Sequence, residues 1–182
     1  MTSAPGSPGV LDLTVAVAAG RLGAASVGLV RLGAEPPTVP APTARGDRPL
    51  PVRAPPTVVT HEVVGPHDLA LLPAALARVP VGALPVVTTA WTLSGLEPAD
   101  RLRFLRLVDA AATHRPVVWV SVEGVGVAPG VPTLGDRPAS GHSIVGLAVL
   151  RHGSLMVEAV ARCWSRGRWL AWLAEDPPAG GS

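Results

Sequence analysis

A chain of 182 residues that is 48% hydrophobic can close one real core, and a single α/β domain over residues 10–175 is the expected organisation. Its formal charge is only +2, with 15 arginines, scattered except around 162–168, against 13 acids, which argues against the clustered basic stripe of a nucleic-acid binder. Cys163 is the single cysteine, which excludes an internal disulfide framework or a cysteine-rich zinc site and fits a reducing cytoplasm.

In chain order, residues 1–9 are rich in Pro, Gly and Ser and read as a disordered leader, as do residues 176–182 at the other end. The apolar run Val10–Leu32 lacks a preceding basic residue and is interrupted by Asp12, Arg21 and Arg31, so it reads as soluble core and not as a membrane segment. Within it, Val10–Val17 is the expected first strand and Ala18–Leu32 a turn and helix, although Gly20, Gly23 and Gly28 weaken that helix. A Pro-rich stretch at about 34–56 reads as a loop. Thr57–His61 is a short strand, and Pro73–Val79 a short helix with proline in its first turn.

The centre of the chain is strand, helix, strand: Leu84–Thr89, Pro98–Thr113 and Pro116–Glu123. Both strands are near-continuous β-branched runs, the pattern of a parallel sheet covered on both faces. The helix has a box-like Ser94-Gly-Leu-Glu97 before Pro98 and an apolar face through Phe104 and Val108. Gly124–Gly141 reads as loop. Ser143–Leu150 and Ser154–Cys163 then form a hairpin around Arg151-His152-Gly153, and the segment Arg166–Leu173 packs Trp169 and Trp172 on the sheet. This order predicts an α/β, Rossmann-like (methyltransferase-like), mostly parallel sheet with a C-terminal antiparallel hairpin. Such sheets bind ligands at the carboxyl ends of their strands, here just after Val17, Thr60, Thr89 and Val122.

Three segments carry a family resemblance. They are Val86-Val87-Thr88-Thr89-Ala90-Trp91-Thr92-Leu93 followed by Pro98 and Arg101-Leu102-Arg103-Phe104, then Val118–Gly124, then Gly167–Leu173. Together they resemble the mainly actinobacterial domain of unknown function 2332, an uncharacterised family whose pattern is similar to that of S-adenosylmethionine-dependent methyltransferase folds. The chain departs from that pattern after the first strand, where Thr14–Gly20 keeps one glycine and no acid. Thr89 and Ser165-Arg166-Gly167 stand where the family has histidines. The resemblance therefore implies a short or degenerate member.

Among candidate sites, Gly141-His142-Ser143 lacks the second glycine of a nucleophile elbow, because Val145 holds its place. His61-Glu62 with His67 misses the metal-helix spacing, and Gly65-Pro66 stops a helix there, so no metal site is expected. If a cofactor binds, S-adenosylmethionine is the one the resemblance implies, with Gly20, Glu62 and Glu123 as its contacts and Thr89 or Glu123 as catalytic candidates. The leading expectation is a non-catalytic or degenerate scaffold that binds a small molecule or a protein partner. An active methyltransferase and an interaction-only subunit are the alternatives.

Overall fold

The computed structural model describes residues 9–34, 51, 53–164 and 169–173. Residues 1–8 of the expected leader, most of the Pro-rich stretch, Ser165-Arg166-Gly167 and the tail lie outside the described residues, while Gly9 is the residue that caps α1. Three helices are described, α1 (Val10–Arg21), α2 (Leu72–Ala77) and α3 (Pro98–Ala111). Seven strands are described: β1 (Ser26–Leu32), β2 (Thr57–Val64), β3 (Leu84–Ala90), β4 (Val117–Gly124), β5 (His142–Arg151), β6 (Ser154–Trp164) and β7 (Trp169–Trp172). They form one sheet in the order β2-β1-β3-β4-β5-β6-β7. The first four run parallel and the last three follow as an antiparallel meander. No described helix is long and apolar enough to cross a membrane.

The amino-terminal segment corrects the sequence reading. Val10–Val17 is helix, not strand, and the expected helix at Ala18–Leu32 is instead the end of α1 followed by β1. The reason lies in burial: residues 14–19 are buried in succession, so the run carries neither a two-residue nor a 3.6-residue stripe. Local signals favour the helix, since Asp12 accepts a hydrogen bond from the Gly9 N–H at 3.0 Å and alanines fill its last turns. Gly23, at φ +64°, then turns the chain into β1. Gly28 sits inside that strand because a Cβ there would lie 2.4 Å from Val79 at the end of α2.

Elsewhere the expected strands and helices are present, with shifted ends, and the closing tryptophan segment contributes β7 beside β6. Residues 84–89 and 117–123 are buried without interruption because helices cover both faces. On one face α2 and α3 close a core around Val30, Val87, Phe104 and Trp119. The Phe104 and Trp119 rings meet edge-on at 5.2 Å. On the other face α1 closes a second core around Val27, Val86, Val120 and Leu147. The β5–β6 turn places His152 and Gly153 at φ +45° and +75°, the double positive φ of a tight hairpin.

Strand β1 has β2 on one side and β3 on the other, so the direction of chain progression reverses between β1 and β3. The carboxyl ends of those two strands flank the crevice where open α/β sheets take ligands. Gly28→Ala is expected to lower stability by about 1–3 kcal/mol, because a methyl group would overpack the contact with Val79. Urea denaturation measures it, and an unchanged midpoint would show that the end of α2 moves aside freely.

Candidate functional site

The carboxyl edge of the parallel strands is built around Glu123, the penultimate residue of β4 and only 1% exposed. Its Oε1 accepts hydrogen bonds from the Thr92 and Leu93 N–H groups, both at 3.1 Å. Those amides open the 3-10 turn Leu93–Gly95 that links β3 to α3. Burial pushes the Glu123 carboxyl above its ordinary range, and the Leu93 and Thr92 amides pull it part of the way back. Its Oε2 has no hydrogen-bond partner among the described residues.

Thr89 and Ser121 stand side by side on β3 and β4, both buried, on the sheet face that carries α2 and α3. Thr89 Oγ1 accepts from the Trp119 indole N–H at 3.1 Å. Ser121 Oγ has no hydrogen-bond partner among the described residues, and Gly146 opposite it leaves the space, since a Cβ there would lie 2.6 Å from that oxygen. The structure thus brings Thr89 and Glu123 into one buried polar strip.

At the crevice itself, Thr92 Oγ1 donates to the Leu32 carbonyl at 3.1 Å. Gly33, at φ +87°, has the Thr92 side chain against it, and a Cβ there would sit 2.7 Å from Thr92. Trp91 has φ +49°, a left-handed backbone that is an outlier for so bulky a residue. Its indole N–H donates to Ser143 Oγ at 3.0 Å. The space between the ends of β1 and β3 is therefore filled by the chain's own turn.

The other expected contacts lie elsewhere. Gly20 is in the last turn of α1, which leads into the amino end of β1, and a Cβ there would lie 2.8 Å from Arg53. It thus sits at the opposite edge from Glu123, a consequence of the helix at Val10–Arg21. Glu62 belongs to the row Glu62, Val30, Val87, Trp119, level with Trp119 and not with Glu123. Three strand spacings, about 14 Å, also separate β2 from β4. Arg78 donates to both Glu62 oxygens at 2.8 and 2.5 Å, and those bonds hold the Glu62 carboxyl below its ordinary range.

His142 and Ser143 open β5 and point to opposite sheet faces, so they do not act as a pair. His142 lies edge-on to Trp164 and Trp169, at 5.0 and 5.7 Å, with its Nδ1 3.4 Å from Asp136. Arg162 Nε is 2.8 Å from the same Asp136 oxygen. Register carries this cluster, with His142, Trp164 and Trp169 in one row across three strands. The sequence shows those residues but gives no sign that they align. No group of three or more His, Cys, Asp or Glu among the described residues is placed to hold a metal ion.

The model of a family described as "Uncharacterized protein conserved in bacteria (DUF2332)" matches residues 37–172, and the chain belongs to that family. No curated protein and no solved structure matches the chain.

Two substitutions test Glu123. Glu123→Ala strands two amides and is expected to cost about 1–3 kcal/mol in urea denaturation. Glu123→Gln keeps an accepting oxygen and removes the titration. Because folding raises the Glu123 pKa, the folded chain holds that proton more tightly than the unfolded one. The group's contribution is complete below the unfolded-state value, about 4.3, and is lost as pH rises through the raised folded value. Wild-type stability relative to Glu123→Gln should therefore fall as pH climbs from the ordinary carboxylate range; parallel curves would refute it.

Proposed function

We propose that this DUF2332 protein is a non-catalytic binding domain on a methyltransferase-like, Rossmann-like scaffold, acting in the cytoplasm on a small molecule or a protein partner. The observation that carries this reading is the Thr92 side chain seated against Gly33 between the ends of β1 and β3, in a turn held by Glu123. A catalytic or cofactor-binding acid needs a lone pair directed at its ligand. Glu123 Oε1 is engaged by its own chain, and so is the Thr89 hydroxyl oxygen. Gly20 and Glu62, the other expected cofactor contacts, stand too far away to complete a nucleoside site with them.

One observation favours the alternative, an S-adenosylmethionine-dependent methyltransferase. Trp91 keeps a left-handed backbone at the edge where such folds work, and strain of that kind concentrates at functional sites. In that reading the Trp91–Gly95 turn moves outward and Glu123 Oε2 becomes a ligand contact.

Isothermal titration with S-adenosylmethionine and S-adenosylhomocysteine separates the two. The expected result is no heat and no thermal shift for the wild type at cofactor concentrations up to about 1 mM. Stoichiometric micromolar binding, about 8 kcal/mol, lost in Glu123→Gln and retained in Glu62→Ala, would establish the methyltransferase reading instead.

A further inference from the structure

The loop after β4 divides into two parts. Its first part is anchored, since Val125 and Ala128 are buried in the core on the α2 and α3 face. Its second part, residues 131–140, contains no fully buried residue and is half-buried only at Val131, Asp136 and Ser140. Glycines with a left-handed backbone bound it on both sides, Gly130 at φ +79° and Gly141 at φ +75°. Its own backbone bonds are short-range, from Val131 N–H to Ala128 O, Asp136 N–H to Thr133 O and Ser140 N–H to Arg137 O. Among the described residues, no backbone hydrogen bond ties it to the sheet. A segment with few buried contacts and no ladder bonds opens far more readily than the fold as a whole.

Side-chain contacts hold this segment down instead. Val131 rests on Gly146 of β5, where a Cβ would lie 2.6 Å from one of its methyl groups. Asp136 meets Arg162 Nε at 2.8 Å and His142 Nδ1 at 3.4 Å through one shared oxygen, and neither contact is an aligned hydrogen bond. It is a charge contact at a half-exposed site, weaker than a hydrogen-bonded pair. Two long bonds accompany it, from Arg162 Nη2 to the Leu134 carbonyl at 3.4 Å and from the His142 backbone N–H to Ser140 Oγ at 3.3 Å.

What the segment covers favours its lifting. Ser121 Oγ lies beside Gly146 and Val131, buried and with no hydrogen-bond partner among the described residues. The closed form forgoes the bond that this hydroxyl makes with water, and the open form regains it. That gain offsets part of the packing that Val131 loses.

We propose that residues 131–140 form a lid, hinged at Gly130 and Gly141 and latched by Asp136 on Arg162 and His142, and that its lifting gives solvent access to Ser121. The lid is an entrance to the buried polar strip of Thr89, Ser121 and Glu123 that bypasses the Thr92 turn between β1 and β3. Labelling reads the lid with no ligand present, so labelling and the cofactor titration fail independently.

Ser121→Cys is combined with Cys163→Ser, so that the only thiol lies beneath the lid, and its reaction with iodoacetamide is followed by mass spectrometry. The rate is expected to be nearly independent of urea well below the unfolding transition, because a lifted lid exposes little surface. Asp136→Ala is expected to raise the rate about fivefold with little change in melting temperature. Glu62→Ala, which breaks a charge contact with Arg78 far from the lid, should leave the rate unchanged. Where Ser121→Cys does not fold, Val131→Cys puts the thiol on the lid itself and should respond to Asp136→Ala in the same way. A rate that climbs with urea in step with global unfolding overturns the lid. A rate that Asp136→Ala leaves unchanged, or that Glu62→Ala raises equally, overturns the latch and the inference with it.

Discussion

One buried carboxylate fixes the carboxyl edge of the parallel strands. Glu123 lies at the end of a fully covered strand and has two choices in such a place: lose its charge or find donors. It accepts from two consecutive amides across the gap to the next connection. That choice determines how the chain leaves β3. Thr92 and Leu93 are pinned there, Trp91 just before them has a left-handed backbone, and the Thr92 side chain lies against Gly33. The indole N–H of Trp91 then reaches across to Ser143, tying the parallel half of the sheet to the antiparallel half.

The two halves have different characters. The parallel strands β1, β3 and β4 are covered on both faces, and their side chains are the valines and threonines that such strands require. The meander β5–β7 tapers into half-exposed residues, where polar and aromatic side chains line up by register. Between them Ser121, Glu123 and Gly146 form a polar seam, roofed by Val131 from the loop after β4. The apolar residues Val125 and Ala128 fold that loop over the core, which explains why a segment rich in glycine and proline is not simply solvated.

Much of this was legible in the residues. The β3–α3–β4 unit announces itself through two β-branched runs on either side of an amphipathic helix, and the hairpin through His152-Gly153 between apolar strands. The first element was not legible, because α1 is apolar on every side and periodicity has nothing to act on; Asp12 three residues after Gly9 was the signal that reads correctly. Of the expected site, Thr89 and Glu123 could be placed together because they end adjacent parallel strands. Gly20 and Glu62 lie away from Glu123 for separate reasons. Gly20 depended on the mistaken first strand, and Glu62 depended on register, which sets its level along the sheet and is invisible in sequence. The closure of the crevice by Thr92 also lay beyond sequence reading, since it follows from a backbone angle at Trp91 that a tryptophan does not advertise.

The Thr92 turn also sets a threshold for anything that would bind at that edge. A ligand entering between β1 and β3 must first select the chain with the turn swung out, and that form is rare to the extent that the Glu123 bonds hold the turn in place. If opening costs about 2 kcal/mol, every intrinsic affinity there is reduced roughly thirtyfold. A molecule that bound there would be selected by how much interaction it offers before it was selected by shape.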